Sequence, residues 1–311
     1  MHGGLLLRID PRSFDFGGYA AFAQDDTGCN APSQAPKPGA QSIMTRFGAV
    51  AFGILLTGAA LPSAAQNFGF GRNGGNYIQS PFLPNVKYDG RFTFARLSYN
   101  NPSYESHYYR GLPAWAHGYD LAERNLMQIL NTLSTTHPRL ESGVVMALDD
   151  PELFKYPLSY MTEAGFWSLT DKEAAMFRKY LMKGGFVIFD DFRDDGRGGG
   201  GYANFLANMQ RIVPNPRIVD LTPKDPIFHS FFDINDFNVL KNAYDRGNNG
   251  HPILQGIYDE NDPSKRLVAM INYSTDVSQF WEYNGQGLRP MDGANEGYKM
   301  GINYLMYAMA H

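Results

Sequence analysis

The sequence predicts an α/β domain with three layers, in which helices cover both faces of a mostly parallel β-sheet. Strand-like and helix-like segments alternate from Arg91 onward. The run from Gly184 to Phe192 is apolar and β-branched, which is typical of a central strand buried on both faces. The same run contains two adjacent carboxylates, Asp190 and Asp191, near its end. Ligands of open α/β sheets bind beyond such strand ends, so this edge is the predicted site.

The first half of the domain alternates strands with helices up to the central strand. In chain order the predicted elements are a strand at 92–99, a helix after 120, strands at 143–148 and 157–161, a helix from 171, and the central strand at 186–189. Asp120 is placed to cap the first helix, whose apolar residues recur on one face. Thr170 and Glu173 form a capping box for the second helix, which Gly184 and Gly185 end.

The second half continues the alternation. Its predicted elements are a helix at 202–212, a short strand at 217–221, a pair of strands at 256–259 and 267–273, and a closing helix at 296–309. Strands and helices at these intervals imply right-handed crossover connections. The predicted architecture is therefore of the flavodoxin-like type.

The first 90 residues divide into three segments. Residues 44–65 have the pattern of a signal peptide: Arg46, then an apolar run, then small residues before Gln66. The apolar run falls short of the roughly 20 residues that a membrane span needs, so cleavage is predicted and an uncleaved anchor is the alternative. Residues 1–43 are interpreted as a misassigned start or a disordered extension, and residues 66–90 as an extended lead-in to the domain at 91–311. We expect a periplasmic or secreted protein with no transmembrane segment after cleavage.

Charge and cysteine content exclude several classes of protein. The net charge is −4, which argues against a nucleic-acid-binding surface. The single cysteine, Cys29, precedes Met44. The predicted exported chain therefore has no disulfide, no thiol nucleophile and no cysteine metal ligand.

Several sequence blocks together resemble a known bacterial family. The blocks are 92–97, 115–126, 150–154, 184–192, 226–229 and 301–311. They resemble the family catalogued as domain of unknown function 4159, over nearly the whole chain from Arg91. The resemblance implies a fold like that of class I glutamine amidotransferases, in which a cysteine nucleophile occupies the sharp turn after a central strand. Here that turn is 190–192, which contains no cysteine, so the usual amidotransferase reaction is excluded.

Asp191 and His229 are the predicted catalytic residues. Asp191 is expected to project into the crevice at the strand end, whereas Asp190 still belongs to the strand. His229 follows a predicted strand end and could orient or protonate a ligand held by Asp191, with His117 as the second choice. The alternative for the aspartates is capping and turn formation, and for His229 a hydrogen bond within a turn.

Further ligand-binding residues are predicted at Arg96, Trp115, Asp149 and Asp190, beside Asp191. Arg96 lies within a strand and needs an acidic partner, for which Asp190 or Asp149 is expected. Trp115 could stack on a sugar or contact a peptide, or bury its ring under a loop. No cofactor is predicted, although Asp149 and Asp191 could bind a divalent cation.

These observations predict a noncatalytic binding or assembly domain of the cell envelope, with a degenerate amidotransferase-like site. Its partner would be an envelope protein or a saccharide and not a nucleic acid. The alternative is a carboxylate- or metal-dependent hydrolase that acts on envelope sugars or peptides.

Overall fold

Seven strands form one sheet in the computed structural model, which describes residues 84–101, 112–194, 201–241, 251–283 and 291–311. The strands are β1 (Ala95–Ser98), β2 (Val144–Ala147), β3 (Leu158–Thr162), β4 (Phe186–Phe192), β5 (Ile218–Asp220), β6 (Ile253–Tyr258) and β7 (Leu267–Tyr273). Their order across the sheet is β2-β1-β3-β4-β7-β6-β5. The predicted signal peptide, residues 1–43 before it and the lead-in up to residue 83 lie outside the described residues.

The sheet is mostly parallel, as predicted. Each neighbouring pair among β2, β1, β3, β4 and β7 runs parallel. The exception is β6, which is antiparallel to both β7 and β5. The carboxyl ends of β3 and β4 therefore lie side by side, along the edge of the sheet where the parallel strands end.

Helices cover both faces of this sheet, which confirms the three-layer α/β/α prediction. They are α1 (Leu121–Leu133), α2 (Asp171–Met182), α3 (Tyr202–Ile212), α4 (Ser278–Glu282) and α5 (Met291–Ala310). One apolar layer joins the sheet to α1, α4 and α5, and the other joins it to α2 and α3. Along β4, Phe186 and Ile188 belong to the first layer, and Val187 and Phe189 to the second. This alternation explains why the central strand is apolar on both faces.

Local sequence signals place α2 and β4 where they were predicted. The capping box is formed, since Thr170 Oγ1 accepts from the backbone nitrogen of Glu173 at 3.2 Å and Glu173 Oε2 accepts from that of Thr170 at 2.6 Å. Gly184 has a φ of +107°, a conformation that suits glycine at the end of a helix. The chain therefore leaves α2 and enters the central strand within a few residues.

Several details of the elements differ from the prediction. Asp120 precedes α1 but its side chain makes no capping hydrogen bond there. The last helix begins at Met291, earlier than predicted. Strand β4 continues through Asp190 and Asp191 to Phe192, and its pairing with β7 shifts between Phe189 and Phe192. In the described part of the chain, no helix combines the length and the apolar character that crossing a membrane requires.

Candidate functional site

Three side chains meet at the carboxyl edge of β3 and β4. Asp191 is the second-to-last residue of β4, Glu163 directly follows β3, and His117 precedes α1. Nδ1 of His117 is 2.7 Å from Oδ2 of Asp191 and 3.4 Å from Oε1 of Glu163. One nitrogen or oxygen atom of each residue lies within 4.8 Å of those of the other two. We call His117, Glu163 and Asp191 the edge cluster.

Two members of the edge cluster have an unfavourable backbone conformation. The φ angles of Glu163 and Asp191 are +53° and +52°, in the left-handed region that residues with a side chain rarely adopt. Such a conformation costs about 1–3 kcal/mol and persists only where surrounding structure enforces it. Five other residues with side chains in the described part of the chain also have a positive φ: His137, Asn215, Glu260, Asn261 and Ser274.

The edge cluster is largely enclosed but not sealed. The side chains of Asp191 and Glu163 are 3% and 7% exposed, whereas that of His117 is 18% exposed. Arg193 is 34% exposed, and its Nη1 lies 3.4 Å from Oδ1 of Asp191. Solvent therefore approaches the two carboxyl groups past His117 and Arg193.

The protonation states of His117 and Asp191 depend on each other. Burial acts to lower the pKa of His117, but the hydrogen bond and the charge of Asp191 outweigh it and raise that pKa to about 9. Burial acts to raise the pKa of Asp191, but the hydrogen bond and charge of His117, with Arg193, lower it. Burial, followed by the charge of Asp191, raises the pKa of Glu163 well above its usual value. The cluster thus combines an ion pair with a carboxyl group whose pKa is raised.

Asp276, which follows β7, adds another buried carboxyl group close to the edge cluster. Its Oδ1 accepts hydrogen bonds from Ser278 Oγ at 2.8 Å and from the backbone nitrogen of Gln279 at 2.9 Å. Its Oδ2 is buried and has no hydrogen-bond partner among the described residues. Burial and then the charges of Asp191 and Asp190 raise the pKa of Asp276 well above its usual value.

Asp190 is fully buried, and its carboxylate is occupied by donors from the protein itself. Its oxygens accept from Tyr160 Oη at 2.9 Å, Asn272 Nδ2 at 3.1 Å, and the backbone nitrogens of Val277 at 3.2 Å and Ser278 at 3.0 Å. Burial and then the charge of Asp191 raise the pKa of Asp190 to about 6. Asp190 therefore ties β4 to β3, β7 and the start of α4.

The expected pairing of Arg96 with Asp190 or Asp149 is wrong. Arg96 forms a buried ion pair with Glu123 of α1, and each of the two residues is 1% exposed. Strand β3 lies between β1 and β4 and separates Arg96 from Asp190. The ring of Tyr160 occupies the space between them: its centroid is 5.0 Å from Cζ of Arg96, and its hydroxyl donates to Asp190.

Arg96 also holds the loop that carries His117. Its Nη1 donates to the backbone oxygens of Trp115 at 3.0 Å and His117 at 2.8 Å. The ion pair with Glu123 orients the guanidinium group for these two contacts. Arg96 therefore supports the edge cluster through the backbone of the loop and not through a ligand.

The other predicted site residues lie among different partners. Asp149 pairs with Lys172 at 2.6 Å. His229 contacts Asp233 at 3.0 Å and the backbone oxygen of Pro223 at 2.7 Å, while the imidazole beside Asp191 belongs to His117. The ring of Trp115 is partly buried against the apolar layer of α2 and α3. Among the described residues, neither Asp149 nor His229 contacts the edge cluster.

Sequence reasoning missed Glu163 and Asp276. Both follow the end of a strand, as Asp149 does, so the strand-end rule applied to β3 and β7 would have identified them. The prediction ended β3 one residue early and did not consider the residues that follow β7.

Comparisons with known proteins agree with the sequence resemblance. A search of curated proteins finds no match. A family model described as Domain of unknown function (DUF4159) matches residues 93–309. The matched region extends from just before β1 into α5 and includes the whole edge cluster and Asp276. The chain therefore belongs to the DUF4159 family.

Proposed function

We propose that this domain is an exported hydrolase, in which the edge cluster activates water to cleave a sugar or peptide bond of the cell envelope. The observation that carries the proposal is the convergence of His117, Glu163 and Asp191 at the ends of two adjacent parallel strands. Ligands of open α/β sheets bind at this edge.

The edge cluster contains the groups that hydrolysis requires. Water that attacks a carbonyl or anomeric carbon must lose a proton, and the leaving group must gain one. Two carboxyl groups and an imidazole within 4.8 Å of one another can accept the first proton and supply the second.

We further propose that the scaffold is flavodoxin-like and related to class I glutamine amidotransferases. The parallel strands β2-β1-β3-β4 have the order of a flavodoxin-like sheet, with β7 in the fifth position. Asp191, left-handed at the end of the central strand, would then replace the cysteine nucleophile of the amidotransferases. A carboxylate at that position suits the activation of water.

A noncatalytic binding or assembly role in the envelope is the second candidate. It is favoured by the small exposed fractions of Asp191 and Glu163, 3% and 7%, which leave little surface for a substrate to reach. In that case His117 and Arg193, the more exposed side chains beside these carboxyl groups, would contact an envelope protein or a saccharide.

Turnover assays with the Asp191→Asn variant test the hydrolase. The chain from Gln66 would be incubated with peptidoglycan fragments, envelope glycans and peptides, and products identified by mass spectrometry. We expect Asp191→Asn to reduce turnover at least about 100-fold, since it removes a group that exchanges a proton or holds one that does. Asp262→Asn, at an exposed turn, is the matched control and should leave turnover unchanged.

The outcomes separate the two candidates. Fragments that bind to the wild type without cleavage, and fail to bind to Asp191→Asn, would support the binding role and overturn the hydrolase. If the wild type neither binds nor cleaves any fragment, both candidates are overturned.

Export is tested separately. We propose that translation begins at Met44, that residues 44–65 are removed as a signal peptide, and that the protein is periplasmic or secreted. The pattern that supports this is complete only from Met44. Intact-mass measurement of the protein recovered from outside the cytoplasm should give a chain that begins at or near Gln66. A mature species that retains residues before Met44 would contradict the proposal.

A further inference from the structure

We propose that the edge cluster, beside the buried carboxyl group of Asp276, binds one divalent metal ion of the Mn²⁺ or Zn²⁺ class. The inference uses the residues of the proposed hydrolase and assigns them a cofactor. Four observations carry it: the convergence of ligand atoms, a buried carboxylate oxygen without a partner, an excess of buried carboxyl groups, and the chemistry of the donors.

The first observation is the spacing of the ligand atoms. Nδ1 of His117 lies 2.7 Å from Oδ2 of Asp191 and 3.4 Å from Oε1 of Glu163, and the three ligand atoms lie within 4.8 Å of one another. Ligands bound at about 2.0–2.2 Å from one ion lie roughly 3 Å or more apart. Small rotations of these side chains would therefore open a position for an ion between them.

The second observation is the free oxygen of Asp276. This residue is 2% exposed, and its Oδ2 is buried without a hydrogen-bond partner among the described residues. A buried carboxylate oxygen with no donor is costly and calls for an explanation, such as an ion. Ser278 connects Asp276 to the residue before Asp191: its Oγ donates to Oδ1 of Asp276 at 2.8 Å, and its backbone nitrogen donates to Oδ2 of Asp190 at 3.0 Å.

The third observation is the local excess of acidic groups. Four acidic residues are each at most 5% exposed when backbone and side chain are counted together: Glu163, Asp190, Asp191 and Asp276. Asp190 is satisfied by four donors. The cationic groups beside the other three are His117 and the partly exposed Arg193. Buried charges are normally paired or bound to metals, and a dication would offset this excess.

The type of donor selects the class of ion. Imidazole favours zinc and its neighbours, and carboxylates favour manganese and magnesium. Ca²⁺ prefers six to eight oxygen ligands, so the nitrogen of His117 makes it a poor fit. A site with one imidazole and two carboxylates, and a third carboxyl group close by, therefore suits Zn²⁺ or Mn²⁺ best.

Isothermal titration of the chelator-treated chain from Gln66 with ZnCl₂ and MnCl₂ tests the inference without any substrate. We expect one ion per wild-type chain. Asp191→Asn should weaken binding at least about 100-fold because it removes a ligand, and Asp276→Asn at least about 10-fold because it removes an acidic group beside the site. His117→Gln should weaken Zn²⁺ more than Mn²⁺, since it removes the nitrogen ligand.

Two control variants carry the same types of substitution outside the cluster. Glu260→Gln, at the surface pair with Lys265, and His137→Gln, at an exposed position, should bind as the wild type does. Binding that is absent from the wild type, or unchanged in Asp191→Asn, would overturn the inference. If the cluster variants do not fold, the melting temperature of the wild type still tests the inference. This temperature should rise when the chelated protein receives either ion, and no rise would overturn the site.

The metal and the hydrolase can fail independently. One bound ion without cleavage of any fragment would overturn the hydrolase and keep the metal site. Cleavage of a fragment by a chain that binds neither ion in the titration would overturn the metal site and keep the hydrolase.

Discussion

Arg96→Met is expected to lower the free energy of unfolding by about 3–5 kcal/mol, among the largest losses for a single substitution in this domain. The substitution leaves Glu123 as a charge that is 1% exposed and has lost its partner. It also removes the donor to the backbone oxygens of Trp115 and His117. Chemical denaturation followed by circular dichroism measures the loss.

The double variant Arg96→Met/Glu123→Leu is the matched control. When both charges are replaced by apolar groups of similar volume, no uncompensated charge remains, so the double variant should recover at least about 2 kcal/mol relative to Arg96→Met. Recovery should stay incomplete because the two backbone oxygens still lack their donor. A double variant no more stable than the single one would show that Glu123 is not the partner that makes Arg96 necessary.

Asp190→Ala is expected to destabilise the domain by about 3 kcal/mol or more. The carboxylate accepts four hydrogen bonds, and its removal leaves buried donors of Tyr160, Asn272, Val277 and Ser278 without an acceptor. The loss should free the segment that leads into α4 from the sheet. Urea denaturation of the variant beside the wild type gives the difference.

Asp190→Asn is the informative comparison for this position. Its amide keeps one oxygen acceptor and nearly the same shape, so it should cost less than Asp190→Ala. Equal losses in the two variants would show that the volume and the single acceptor kept by asparagine contribute little, and that the position requires the whole carboxylate. A loss under about 1 kcal/mol for Asp190→Ala would contradict the anchoring role.

Local patterns in the chain were sufficient to predict much of the fold. The capping box at Thr170, the left-handed Gly184 and the apolar alternation of β4 act over a few residues, and the structure contains all three. Alternating strands and helices likewise predicted the mostly parallel three-layer sheet. The extent of β4 was not predicted, because its end depends on the shifted pairing with β7.

The candidate site was only partly predictable. Asp191 lies at the end of the central strand, as predicted, and is 2% exposed. His229 was preferred to His117 because it follows a predicted strand end. The structure instead brings His117 to Asp191 across 74 positions of sequence.

The sequence by itself determined which residues form strands and helices and which face of each element is apolar, because these depend on periodicity and local hydrogen bonding. It also determined that carboxylates lie at the edge of the central strand. Only the tertiary structure decided their partners. Periodicity assigns a side chain to a face but says nothing about which strand is adjacent. The order β1-β3-β4 inserts Tyr160 between Arg96 and Asp190, while the ends of β3 and β4 bring Glu163 beside Asp191.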